Sequence, residues 1–298
     1  MAGIREFFAA CDVLEIDVPA LGLAGVTDVH IDNLVVAGVP PRYLQSSPEY
    51  FLKRCLAADP EPLYYLGKAF RAGERGRLHL PEFTLLEWYR PGWDDGRLMD
   101  EVEALLRHLG ALDDGRCVRL DYRDCFGTAL DLDPHTATDD QLRERAAAVT
   151  DQPARHWRGE PRATCLDLLF SLEVEPHLPS GAVLVTDYPA CQAALARVVP
   201  GADGVPVARR FELFLDRVEL ANGYWELTDA DEQRRRFAAD RELRTAMGKT
   251  TPPDDVRLLA ALDAGLTPCA GVALGVDRLL MKLLGAGHIR EVVTFADD

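Results

Sequence analysis

The sequence predicts an α+β domain built around a mainly antiparallel sheet, and three observations carry that prediction. Strand-like runs of aromatic and aliphatic residues at Leu63 to Phe70 and Phe83 to Tyr89 flank a loop rich in Arg, Gly, Glu and His. A second alternating pair fills Ala208 to Leu227, with turn residues near Asp216-Arg217, so it reads as a hairpin. The helical patterns are grouped between these strands instead of alternating with them one for one, which separates α+β chains from α/β chains.

The elements follow in order. Residues 2 to 11 have Ile4, Phe7 and Phe8 on one helical face, and a short strand from Val13 to Val18 leads to the chain-turning Pro19. At Ser47-Pro48-Glu49 a Ser N-cap, a Pro at the first helical position and an acid in the first turn start a helix through YFLKRCLAA. The two strands and the charged loop Arg71 to Pro81 come next, followed by an amphipathic helix from Asp95 to Leu109. Residues 110 to 180 mix short helices with Pro and Gly breaks and read as a helical insertion within one domain spanning 1–298. After the hairpin, Asp229 to Ala246 is helical, and Gly271 to Leu284 is a glycine-punctuated strand passing directly into a helix.

Composition narrows the function classes. With 298 residues, 48% of them hydrophobic, the chain can bury a sizeable core in one large domain or two ordinary ones. No run approaches the length of a membrane span, and charged residues interrupt the N-terminus where a secretory signal needs an apolar stretch, so a cytoplasmic protein with no membrane partner is expected. Cys11, Cys55, Cys117, Cys125, Cys165, Cys191 and Cys269 form no CxxC and no zinc-site spacing, and are expected to be reduced and structural. The net charge of −16 disfavours extended contact with a polyphosphate backbone such as tRNA.

Three separated segments then combine. The proline-ended helix and strand at 4 to 19, FRAGERGRLHLPEFTLLEWYR at 70 to 90 and GVALGVDRLLM at 271 to 281 resemble motifs 1, 2 and 3 of class II aminoacyl-tRNA synthetases in order and spacing. Within that class, SSPEYFLKR, PEFTLLEWYRP, ELANGYWELTDADEQ and CAGVALGVDRLLM resemble lysyl-tRNA synthetases and, more closely, their short paralogues that ligate lysine to elongation factor P. The resemblance covers nearly the whole chain. It implies a class II synthetase catalytic domain with a sheet of six to seven strands flanked by helices, ATP and Mg2+ as cofactors, and a homodimer formed through motif 1. Because the sequence opens inside motif 1, no anticodon-binding domain and no tRNA anticodon recognition are expected.

Adenylation sets demands that can be laid against residues. A substrate carboxylate must attack the α-phosphorus of ATP, so charge on the phosphate oxygens has to be offset by fixed cations and metal. Arg71 and Arg278 are the candidate catalytic residues; the resemblance puts the first at the α-phosphate and the second near the γ-phosphate and adenine. Glu212 and Glu219 lie on opposite arms of the hairpin, as diagonal neighbours roughly 7 Å apart, and so could share a magnesium ion. By resemblance Glu74, Phe83, Leu220 and Gly275 complete the ATP side, with Phe83 stacking on adenine; by default a strand Phe belongs to the core. A lysine-like substrate brings two ammonium groups that need anionic or polar partners out of water. The resemblance gives Ser47, Pro48 and Glu49 to the amino group nearer the carboxylate, Glu226 and Tyr89 to the distal ammonium, and Asn222 to the carboxylate side. Glu49 has an alternative role as an acid complementing the helix dipole. Ala273 stands where lysyl-tRNA synthetases have Gly, and its methyl group is consistent with a preference, worth about 1–3 kcal/mol, for (R)-β-lysine over α-lysine.

Two departures fall on the ATP side. Motif 2 reads Arg71-Ala72-Gly73 with Glu74 displaced by one residue, and Leu80 replaces an Asn. Either Gly73 lets Glu74 fold back to its expected place, or adenine binding is weakened. The leading expectation is a two-step ligase that activates (R)-β-lysine or lysine and transfers it to elongation factor P. A non-catalytic regulatory paralogue, or a ligase whose acceptor is a small molecule or carrier protein, remain the alternatives.

Overall fold

The computed structural model of the chain describes residues 1–113 and 115–296. The chain divides into two compact units, the first formed by 1–114 and 220–298 and the second by 115–219.

The first unit runs through α1 (Ala2–Ala10), β1 (Leu14–Glu15), β2 (Leu21–Gly22), β3 (Val35–Val36), β4 (Arg42–Leu44), α2 (Glu49–Ala58), β5 (Leu63–Phe70), β6 (Glu82–Pro91) and α3 (Asp95–His108). The second holds β7 (Val118–Asp121), α4 (Tyr122–Leu130), α5 (Asp139–Thr150), α6 (Arg162–Leu169), β8 (Ala182–Pro189), β9 (Val198–Pro200) and β10 (Pro206–Leu215). The boundary falls inside β11 (Val218–Trp225), after which α7 (Ala230–Ala246), α8 (Val256–Ala264), β12 (Cys269–Gly275) and α9 (Val276–Leu284) return to the first unit.

In the first unit β1 pairs in parallel with β5, and β5, β6, β12 and β11 follow one another in antiparallel order. Side chains alternate between the two faces of such a sheet, and the register decides what each face carries. Tyr64, Trp88 and Val272 lie side by side on one face. There Phe8 of α1 stacks on Tyr64 at 4.5 Å and meets Trp88 edge-on at 5.4 Å. The Trp88 indole donates to Glu101 of α3 at 2.9 Å, and the same carboxylate holds the buried Arg90. Asp94 caps α3 by accepting from the Arg97 amide at 2.9 Å. This face is therefore filled by α1 and α3. The opposite face carries Tyr65, Glu87, Ala273 and Asn222 in one lateral row and Leu63, Tyr89, Gly271 and Tyr224 in the next.

A small sheet of β2, β4 and β3 and the loop between β2 and β3 complete the unit's N-terminal part. That loop has few internal backbone bonds and is tied down from α7. The fully buried Arg244 donates to the carbonyls of Asp28 at 2.6 Å, Ile31 at 2.9 Å and Thr250 at 2.8 Å, and Lys249 donates to Val29 at 2.8 Å.

In the second unit β7 pairs in parallel with β8, which is antiparallel to β10, and β9 pairs with the start of β10. Tyr122 stacks on Phe126 and Phe170, with Tyr188 against its ring at 4.5 Å and Phe214 against Phe170 at 5.7 Å. Asp216 and Arg217 both have positive φ, at 46° and 63°, the backbone of a tight two-residue turn between β10 and β11 at the position expected.

The architecture is the expected one, mixed α and β with a mostly antiparallel sheet. Five strands pair in the first unit and four in the second, where six to seven are expected. Stretch 110–180 contains the helices α4, α5 and α6 and also the strand β7.

Candidate active site

Motif 2 residues form the first half of the site. The loop after β5 begins where the Arg71 amide donates to Pro81 at 2.9 Å and closes with a bridge between Gly76 and His79. Gly73 has φ +75°, a conformation an L side chain rarely adopts, and the chain turns there so that a Glu74 oxygen comes within 3.6 Å of the Arg71 guanidinium. The Arg71 guanidinium also lies over the Phe83 ring, 5.1 Å from its centre, so this ring packs against a cation. Arg278, in the first turn of α9, donates to the Leu78 carbonyl at 3.3 Å and lies 2.6 Å from the His79 ring nitrogen. Arg71, Glu74, His79 and Arg278 thus gather around one loop. The Leu220 carbonyl and the Arg278 side chain both approach Gly275, each 3.8 Å from where its Cβ would be. Leu80 is buried with Met281 and Ile289, so the residue replacing Asn serves an apolar cluster.

The second half lies on the sheet face away from α1 and α3. Ser47 Oγ accepts from the Glu49 amide at 3.0 Å and donates to Glu87 at 2.7 Å, so the residue that starts α2 also anchors a strand carboxylate. Pro48 begins the helical turn, its carbonyl accepting from Leu52 at 3.0 Å. The Tyr89 hydroxyl donates to the other Glu87 oxygen at 2.8 Å. Ala273 sits between Glu87 and Asn222 in register, so its methyl group is on the same face. Gly271 occupies the next row, where a Cβ would come within 2.3 Å of the Tyr89 ring and 2.6 Å of Glu226 Oε1.

Two residues of this slot are not among those singled out from sequence. Glu87 is one. Lys53 is the other, and its ammonium lies 2.6 Å from Glu49 Oε1 and 2.6 Å from Glu226 Oε2. Glu49 and Glu226, the expected partners of a substrate's ammonium groups, are thus both engaged by the chain's own lysine. Glu226 Oε1 is buried without a hydrogen-bond partner. Burial pushes Glu87 and Glu226 up to about 8, with the charge of Glu49 adding to the effect and Lys53 opposing it. Burial by itself would lower the Lys53 ammonium, but Glu226 and Glu49 raise it above its ordinary value. The slot therefore holds three carboxyl groups and one ammonium, and Glu87 and Glu226 resist ionising until more positive charge arrives.

The expected metal-binding acids belong to the second unit. Glu212 is paired with Arg210, and burial pushes it up to about 7, with Glu219 adding a like charge. Among the described residues no group of three or more His, Cys, Asp and Glu could hold a metal ion. A buried carboxyl group raised in part by a like-charged neighbour suits a hard divalent cation whose other ligands are water and phosphate oxygens. None of the seven cysteines is in a disulfide among the described residues. No helix among the described residues is long and apolar enough to cross a membrane.

A sequence profile of the family described as tRNA synthetases class II (D, K and N) matches residues 1–298. Among curated proteins, the chain is 46% identical over 303 residues to an elongation factor P--(R)-beta-lysine ligase of Proteus mirabilis, covering 99% of this chain and 92% of that protein. A Yersinia enterocolitica protein of the same name is 46% identical with the same coverage. One from Klebsiella pneumoniae is 45% identical over 306 residues, covering 100% of this chain and 93% of that protein.

Proposed function

The chain belongs to the family of class II tRNA synthetases (D, K and N), and from that premise we propose that it is an ATP-dependent ligase for a lysine-like amino acid. It adenylates (R)-β-lysine or lysine and transfers the acyl group to a lysine side chain of elongation factor P; the relatives are named as ligases of elongation factor P and (R)-β-lysine, which supports the reading. The observation that carries the reading is the under-neutralised slot of Glu49, Glu87 and Glu226, with Lys53 as its resident cation. Taking carboxylates out of water costs several kcal/mol each unless cations pair with them, and a diamino acid delivers two.

In the first step a substrate carboxylate oxygen bonds to the α-phosphorus of ATP and the bond to pyrophosphate breaks. Arg71 places its planar donors at the phosphate, backed by Phe83 and Glu74, and Arg278 offers a second guanidinium from the start of α9. Glu212 and Glu219 would hold magnesium, which when bound would supply charge neutralisation for the triphosphate. Asn222 and Ala273 bound the carboxylate end of the slot, where the methyl group favours the β-amino acid. In the second step the acceptor ε-amine attacks the acyl carbonyl, AMP leaves with the bonding pair, and the amine loses a proton as the amide forms. The enzyme works as a homodimer in the cytoplasm and does not read a tRNA anticodon.

ATP-pyrophosphate exchange tests the proposal. Exchange stimulated by (R)-β-lysine above α-lysine is expected, together with a mass increase on elongation factor P; a folded protein with magnesium that exchanges with no diamino acid is not this ligase.

A further inference from the structure

Lys53 has no place in the reaction as described above, yet it is the best-buried cation near the slot. It lies one helical turn after Glu49 on α2, its side chain is 3% exposed, and it pairs with Glu49 and Glu226 at 2.6 Å each. In that arrangement it engages one oxygen of each carboxylate. The second oxygen of Glu226 stays buried, without a hydrogen-bond partner, and faces Gly271. We propose that Lys53 is a positioning residue that remains in place when the amino acid binds, fixing Glu226 so that Oε1 receives the substrate's distal ammonium.

Charge counting supports a resident lysine over one the substrate displaces. Three carboxylates face one ammonium, so two further ammonium groups give each carboxylate a partner, and a diamino acid brings two, its own carboxylate being the group that reacts with ATP. Were Lys53 to leave, the same ligand would face an unpaired buried carboxylate. Displacement would also take an ammonium from two carboxylates at 2.6 Å into a mostly buried helix face. Having no side chain, Gly271 lets Glu226 Oε1 lie close against β12, where a Cβ would come within 2.6 Å of it. Lys53 thereby also sets specificity: the slot is built for two ammonium groups, and a monoamine leaves it one charge short.

This assignment rests on the reading of the slot as a diamino acid site, and the test separates the two. Exchange is measured with (R)-β-lysine and α-lysine for wild type, Lys53→Met and Lys53→Ala. We expect the amino-acid KM to rise about tenfold or more in both variants. The KM for ATP should stay within about twofold, and methylammonium should restore activity to Lys53→Ala saturably. An unchanged or lowered amino-acid KM overturns the assignment, the lowered value marking Lys53 as a competitor for the slot. Parallel rises in both KM values without methylammonium rescue also overturn it, since they describe a merely structural lysine. Should both variants fail to fold, a wild-type crystal structure with α-lysine decides: Lys53 still paired with Glu226 supports the proposal, and Lys53 swung away refutes it. Wild type that exchanges with no diamino acid would sink the ligase reading itself, and this assignment with it.

Discussion

Gly271→Ala applies the smallest available perturbation to the slot. A Cβ at this position would lie 2.3 Å from Tyr89 Cε1, 2.4 Å from Cδ1 and 2.6 Å from Glu226 Oε1. Carbon atoms settle at about 3.5–4.0 Å, so the tyrosine ring must retreat by more than about 1 Å. It cannot do so alone, because its hydroxyl is bonded to Glu87 at 2.8 Å and Glu87 is bonded to Ser47 at 2.7 Å. Nor can the strand yield easily, since β12 is paired on both sides. Overpacking of this kind costs about 1–3 kcal/mol, which for a chain this long lowers the melting temperature by roughly 2–5 °C. The same displacement moves Glu87 and Glu226, so the amino-acid KM in pyrophosphate exchange should rise about tenfold or more while the KM for ATP stays nearly constant. Calorimetry and exchange kinetics on one preparation read both effects. A variant with wild-type melting and wild-type amino-acid KM would refute the crowding between Gly271, Tyr89 and Glu226.

Further outcomes follow from the same geometry. Because burial raises Glu87 and Glu226 to about 8, the folded protein holds more protons than the unfolded chain between about pH 4.5 and 8, so ligand-free stability should fall as pH rises through that window; Glu226→Gln should flatten the melting-temperature profile. For the same reason, calorimetric binding of (R)-β-lysine at pH 7 in buffers of different ionisation enthalpy should show proton release. Glu101→Ala leaves Arg90 buried and unpaired and removes the acceptor of Trp88, a loss of about 3–5 kcal/mol readable by denaturant unfolding. Arg71→Ala should cut exchange about a hundredfold or more with the fold intact by circular dichroism.

The sheet's central strands are legible in the sequence because their alternation is strict and the charged stretch between them can only be a loop. Ser47-Pro48-Glu49 is legible for a similar reason, as each residue type has one preferred place at a helix start. The second unit is harder to read. Its strand β7 has four residues and β9 three, too short for periodicity to register, and both depend on β8 and β10 for partners. In the slot, Glu49 and Lys53 four residues apart have the spacing of an ordinary solvated helix pair. Only the fold reveals that the pair is buried and that Glu226, more than 170 residues along the chain, joins it. Glu87 did leave a trace, an acid flanked by Leu86 and Trp88 within a strand, where a charge is rarely fully buried without partners.

The arginine at the end of α7 has a consequence in time as well as in space. Asp32, in the loop that Arg244 fastens, accepts at its carbonyl from the Ala72 amide at 2.8 Å, beside Arg71. The clamp joins residues 216 positions apart, from Asp28 to Arg244. During synthesis the N-terminal third leaves the ribosome long before its fastener is translated, and closing so long a span is slow. A nascent chain can therefore pair β5 with β6 early, while the arm bearing Arg71 gains its last support only once translation has passed Thr250.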